Sequence, residues 1–223
     1  DDELHAAHAV GAFTGTSPQD LAAAYAAFAN GGYYHQPYTY TKIVYRENGK
    51  EVTPKKKKTK AMSAQTAYLI TDILKSATKH NSSSSQVATK TGTSSYDDEA
   101  LEKYNVPSST IQSSWVAFYS PKYSVAFWYG YDKLSSKYYL TMSSGSAQRN
   151  IIQSKLTDGL MEDGGTFTKP SGIVTASVEL ETIPALSPSA NTPSKLKGKF
   201  LFIKGTEPEG TSERFATLSN PSS

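Results

Sequence analysis

Two aromatic and β-branched runs, residues 114–119 and 123–131, flank Ser120-Pro121-Lys122, and no other feature limits the fold so tightly. Such runs favour strands. A short connector with proline at its second position suits a tight turn, and strands joined by a tight turn must be antiparallel. The run Gln86-Val87-Ala88-Thr89 is a further short extended segment from which the hairpin would extend the sheet. Aromatics here and at Tyr33, Tyr34, Tyr38 and Tyr40 are read as strand core and hairpin packing, because alternate residues must face inward. A carbohydrate or nucleic-acid stacking surface is the weaker reading.

Helices are expected on the sheet. Ser17 is a good N-cap, Pro18 fits the first helical position and Asp20 stands where a capping box places an acid. Leu21, Ala24, Tyr25 and Phe28 fall on one face, and Asn30-Gly31-Gly32 ends the helix through a left-handed cap. A second helix begins near Ser63 with Ala67, Ile70, Ile73, Leu74 and Ala77 on one side. A third, residues 150–161, packs on the sheet through Ile151, Ile152, Leu156 and Leu160. Residues 38–52 read as a small hairpin turning at Glu47-Asn48-Gly49-Lys50. The polar stretch 94–110 reads as an excursion at the rim of a groove. Residues 183–193, with three prolines, read as a linker, and 200–203 as a short strand or tail. The fold class expected is α+β, an antiparallel sheet packed against helices, incomplete, with an extended C-terminal tail. Residues 1–168 form the main portion and 169–223 the tail.

Composition removes several function classes. With 23 basic and 20 acidic side chains the formal net charge is +3, which calls for no nucleic-acid partner. The lysine run 55–58 reads as a solvated loop rather than a polyanion site, although contact with an anionic polymer stays open. The absence of cysteine removes disulfides, thiol nucleophiles and thiolate metal sites. His5 and His8 are a half metal site at most, and His35 and His80 are scattered, so no metal or other cofactor is expected. No apolar run approaches the roughly 20 residues that span a bilayer. The opening Asp1-Asp2-Glu3, without Met, suggests a piece of a longer polypeptide.

The chemistry concentrates in Lys90-Thr91-Gly92-Thr93. Alternation puts Lys90 and Gly92 on one side of a strand and Thr91 and Thr93 on the other. Strand twist would let cation and hydroxyls converge on one groove, and Gly92 would let a ligand backbone come close. That suits an extended peptide ending in a carboxylate, held by main-chain bonds along its length and by charge and hydroxyls at its end. Taken alone, four residues of common types are better explained by a coincidental Lys-Thr turn, so the flanks decide.

The stretch from Thr16 to Gly32 resembles the "SPLEMAAAYATFANGG" segment of class A penicillin-binding proteins. Ala61-Met62-Ser63-Ala64-Gln65-Thr66-Ala67-Tyr68 looks like the helix before that family's K-T-G strand, and the run from Trp115 to Asp132 is similar to its "WFVGYTPKYTVAVWVGYD" hairpin. Pro170-Ser171-Gly172-Ile173-Val174 and Gly205-Thr206-Glu207-Pro208 resemble its C-terminal tail. The resemblance implies the C-terminal part of a D,D-transpeptidase domain that cross-links peptidoglycan stem peptides through an acyl-serine. Its partners would be the D-Ala-D-Ala stem peptide and β-lactams. It also implies a parent protein on the extracytoplasmic face of the bacterial membrane, held there by a segment outside this chain. Lys90 would supply positive potential, Thr91 and Thr93 would offer hydroxyls to the substrate carboxylate, and the Thr93 N–H would serve the oxyanion hole. Lys90 and Thr93 are thus the catalytic candidates, and Lys90, Thr91, Gly92 and Thr93 the substrate-binding ones.

The family's Ser-x-x-Lys and Ser-x-Asn elements are expected before Asp1, because the Ser17-Pro18 helix follows both of them. Ser76-Ala77-Thr78-Lys79, Ser194-Lys195-Leu196-Lys197 and Ser189-Ala190-Asn191 match by spelling only. Ser76 lies near a helix end, where the macrodipole disfavours an alkoxide, and the other two lie in the linker region. Three positions depart from the family pattern: Thr89 for a glycine, beside the groove, Ser113-Ser114 for an aspartate, and Ala117 for a glycine. The alternatives are a non-catalytic wall-peptide binding module and a β-lactamase-like hydrolase. The fragment alone should be inactive.

Overall fold

The computed structural model describes residues 6, 8, 15–77, 81, 82, 84–162 and 164–215. His5, Lys79 and His80, and the side chain of Leu160, lie outside that set. In chain order the first half contains α1 (Pro18–Ala29), β1 (Tyr33–His35), β2 (Ile43–Val44), β3 (Glu51–Val52), β4 (Lys58–Lys60) and α2 (Ala64–Lys75). Then come β5 (Ala88–Ser95), α3 (Asp98–Tyr104), β6 (Thr110–Tyr119), β7 (Ser124–Gly130), β8 (Leu140–Thr141) and α4 (Met142–Met161). Two strands close the chain, β9 (Ile173–Glu179) and β10 (Lys197–Ile203).

The aromatic runs pair as their turn requires. Tyr119 faces Ser124 across the connector, and Ser120 N donates to Tyr123 O at 2.9 Å. The main sheet has the order β5-β6-β7, all antiparallel, with β8 pairing the start of β6. β6 begins at Thr110 rather than 114, because β8 supplies partners for Thr110 and Ile111 that their polar surroundings do not announce. The stretch expected as a plain excursion holds α3, capped by the Asp97 carboxylate on Ala100 N at 2.8 Å and ended by Asn105 at φ 49°.

Helices cover both faces of β6. Ser114 bonds Gly145 O of α4 at 3.2 Å, whereas Tyr119 meets the Tyr25 and Phe28 rings of α1 and the Thr71 hydroxyl of α2 at 2.9 Å. Val116, Ala117, Phe118 and Tyr119 are therefore all buried, where a strand with one wet face would alternate. Val116 and Phe118 form the core with Val87, against Val125 and Phe127.

α1 ends and begins as its residues dictate. Ser17 Oγ accepts from Asp20 N at 3.1 Å, and Gly31 and Gly32 take positive φ after Asn30. Its apolar line is only half-buried at Tyr25 and Phe28, and Ala24 is exposed. On α2 the buried positions are Ala67 and Thr71, while Ile73 is 65% exposed and Ala77 is exposed too. Thr71 takes the inward place because its hydroxyl is satisfied twice, by Ala67 O and Tyr119 Oη. α4 starts eight residues earlier than expected, on a Thr141–Ser144 capping box. Its expected apolar face is turned: Ile151 is 51% exposed and Leu156 is exposed, whereas Arg149 and Thr157 are buried. Hydroxyls on the sheet accept from this polar helix face, so the apolar pattern misplaces it.

β9 and β10 pair over seven residues each, from Lys197 opposite Glu179 to Ile203 opposite Ile173. The residues between them, expected as a linker, are bonded rather than free: Glu179 N donates to Leu186 O, and Ser187 and Ser212 are joined. The buried Glu179 carboxylate accepts from Thr192 Oγ1 and from Ser212 Oγ.

Burial pushes the Tyr119 hydroxyl from 10.0 up to about 12, against a smaller lowering by its bond to Thr71. Its neutral form is favoured in the folded state, so the stability it contributes is complete below pH 10 and lost as pH rises from 10 to about 12. Chemical denaturation followed across that range should show falling stability, and Tyr119→Phe should make the fall shallower. An unchanged slope in the variant would contradict this account.

Candidate active site

β5 carries the tetrad and is an edge strand: it pairs with β6, and among the described residues no strand pairs with its other side. Lys90, Thr91, Gly92 and Thr93 are all exposed. The register shift between Ser94 and Ser95 ends the regular ladder just beyond them.

The two faces of this strand differ in chemistry. Lys90 and Gly92 stand opposite Ala117 and Trp115, on the side of α1 and α2. The Lys90 ammonium lies close to the strand and donates to Thr91 O at 2.6 Å. Gly92 has an ordinary backbone conformation, and a Cβ there would meet Trp115 Cβ at 3.5 Å, a normal contact. The fold itself does not demand glycine at this position.

Thr89, Thr91 and Thr93 alternate onto the other face, toward α4. Gln153 Nε2 donates to Thr89 Oγ1 at 2.7 Å, and Arg149 Nη1 donates to Thr93 Oγ1 at 3.1 Å and to Ser114 Oγ at 3.2 Å. Thr89 is buried beneath the helix. The expectation that its side chain adds bulk beside the groove is corrected: the strand's pleat aims it away from Lys90. Ser114 is likewise buried and Ser113 bonds Ser94 Oγ at 2.7 Å, so both serines serve the sheet. Ala117 is buried at the centre of β6. Burial lowers the Arg149 pKa from its usual value, and its Nε has no hydrogen-bond partner.

Arg149 and Gln153 were not among the residues the sequence singled out. The signal available was Thr141, a good N-cap residue type, which would start α4 early enough to include Arg149.

Of the three spelling matches, the Lys79 partner of Ser76 lies outside the described residues, and the described serines are tied into local structure. Ser76 is the C-cap of α2, and its hydroxyl donates to Ile73 O at 2.6 Å. Ser194 and Lys197 are exposed at a 3₁₀ turn, where Lys197 Nζ lies 3.5 Å from Ala190 O. Ser189 Oγ is 3.1 Å from Thr192 Oγ1, within the Glu179 network. Two surface clefts lie elsewhere. One, of about 420 Å³, is polar, between Asp20, Tyr34 and Lys57. The other, of about 370 Å³, is apolar, between Tyr25, Phe28 and Met62. Lys58, in the basic run, stacks its ammonium 4.0 Å above the Tyr33 ring in the small β1–β4 sheet.

Residues 2–157 match the family described as penicillin binding protein transpeptidase domain. The chain is 35% identical over 226 residues to penicillin-binding protein 1A/1B of Bacillus subtilis, covering 96% of this chain and 24% of that protein. It is 39% identical over 124 residues to penicillin-binding protein 1A of Streptococcus pneumoniae, covering 52% of this chain and 17% of that one. The chain thus spans a quarter or less of the length of these relatives. In fold it is similar to the crystal structure of penicillin-binding protein 1A from Haemophilus influenzae, with a TM-score of 0.58 at 21% identity over 88% of this chain and 33% of that one.

The Gln153–Thr89 bond should be measurable alone. Thr89→Val is expected to cost about 1 kcal/mol of stability. Gln153→Leu added to it should cost less than the two single changes summed, as read from a denaturation double-mutant cycle. Strict additivity would show that the bond contributes nothing.

Proposed function

Because this chain belongs to the penicillin-binding protein transpeptidase family, we propose that it forms the K-T-G wall of a D,D-transpeptidase site. The supporting observation is the exposed ledge of β5: a cation, a glycine and two threonines on a strand whose outer edge is unpaired among the described residues. An extended stem peptide adds to that edge through main-chain hydrogen bonds. Lys90 supplies positive potential toward the peptide's terminal carboxylate, and Thr91 and Thr93 offer it hydroxyls. The Thr93 N–H donates to the oxyanion that forms when a serine attacks the D-Ala-D-Ala carbonyl. Donors of that kind are worth roughly two to three powers of ten in rate.

The serine belongs to polypeptide outside these residues. Its oxygen bonds to the donor carbonyl carbon, the bond to the terminal D-Ala nitrogen breaks, and an acceptor amine later takes the acyl group. A β-lactam enters the same way, since its ring carbonyl and carboxylate occupy the places of the peptide's. Residues 1–168 form the C-terminal portion of that domain, and 169–223 follow it. The parent protein works at the outer face of the bacterial membrane, on peptidoglycan, anchored through a segment outside this chain.

A fluorescent penicillin tests the reading. This chain alone should remain unlabelled, and the same chain joined to its upstream sequence should be acylated at an upstream serine. In that longer protein Lys90→Met should slow acylation by about tenfold or more, the worth of a charge-assisted contact. Adduct on Ser76 or Ser194, or full-rate acylation of the Lys90 variant, would overturn it.

A further inference from the structure

We propose that Arg149 is a second cation of the carboxylate site, a positioning residue that acts through the Thr93 hydroxyl. This rests on the reading of the tetrad as a carboxylate-binding wall.

Arg149 is 8% exposed, and among the described residues no carboxylate pairs with it. Nη1 is bonded to the Thr93 and Ser114 hydroxyls, Nη2 lies 3.5 Å from Ser146 Oγ, and Nε is buried without a partner. A guanidinium removed from water with only neutral acceptors is an expensive arrangement for a helix that merely needs fixing to a sheet. An apolar side chain would pin α4 at lower cost. The charge is therefore better explained by what lies beyond its partners.

Of the hydroxyls that accept from Arg149, Ser114 is buried and donates onward to Gly145 O, whereas Thr93 is exposed on the edge strand. A hydroxyl has one proton and two lone pairs. With Arg149 donating to its oxygen, the Thr93 proton is free to be given outward, and the adjacent cation polarises it. Lys90 stands on the opposite face of the same strand. An anion lying along this edge is thus met by two cations, one directly and one through a hydroxyl that Arg149 orients. The ligand class is a carboxylate at the end of an extended peptide, or the equivalent group of a β-lactam.

The test uses the longer, acylatable protein and two probes, benzylpenicillin and its methyl ester, which lacks the anionic carboxylate. Acylation rate constants are measured for both, and their ratio is taken within each protein sample, so that loss of folded fraction cancels. Arg149→Met is expected to lower the acid-to-ester ratio about tenfold, the scale of one charge-assisted hydrogen bond. Arg149→Lys should restore most of it. Thr93→Val should remove the effect of Arg149→Met in the double variant. An unchanged ratio in Arg149→Met, or additive losses in the double variant, would make Arg149 a structural pin and overturn the proposal. If Lys90→Met also leaves the ratio unchanged, the carboxylate-wall reading fails as well. If only Lys90→Met changes it, that reading stands and this inference falls.

Discussion

The burial of β6 on both faces is the constraint on which the rest of the structure depends. Val116, Ala117, Phe118 and Tyr119 follow one another without a solvent-facing position, so the strand is stable only with a helical layer on each side. Tyr119 joins three of the surrounding pieces. Its ring packs against Tyr25, Phe28 and Phe167, and its hydroxyl bonds Thr71. Buried aromatics of this size weigh heavily in core energetics. With β6 held centrally and β7 on one side of it, β5 is left on the other with a single neighbour among the described residues.

That placement sets the chemistry of the site. A strand backed by a packed sheet is rigid, and it presents its two faces to two different helical layers. The side facing α1 and α2 carries Lys90, while the side facing α4 carries threonines whose hydroxyls accept from Gln153 and Arg149. Contact between α4 and the sheet is therefore polar as well as apolar. Gly145 allows it, since a Cβ there would lie 2.8 Å from Ile111 Cδ1 and 3.0 Å from Leu140 Cδ2. Close approach by the helix brings Arg149 within reach of β5.

Legibility followed physical type. The α1 cap, the aromatic hairpin and the position of the tetrad on an extended segment all come from local rules, and the residues involved state those rules openly. The small hairpin is also as its turn suggests, with Gly49 at φ 67° between β2 and β3. The register of α4 was hidden because Arg149 and Thr157, not Ile151 and Leu156, turn inward, and apolar periodicity does not see a buried polar face. The three-residue strands β1 and β4 are too short to show alternation. The folding of residues 180–196 depends on Glu179, Thr192 and Ser212, which meet across long separations in sequence and give no local sign. On the site, the tetrad was readable as a cation with hydroxyls, while Arg149, which comes from a different layer, was not.

The open edge of β5 has a cost that is separate from recognition. A row of unsatisfied amides and carbonyls shaped to receive one strand is a template for any strand, including the same segment of a neighbouring molecule. Lys90 opposes such stacking, because in-register copies would bring like charges together, and the irregularity at Ser94 and Ser95 shortens the flat stretch on offer. The lysine proposed to meet an anionic guest thereby also discourages self-association.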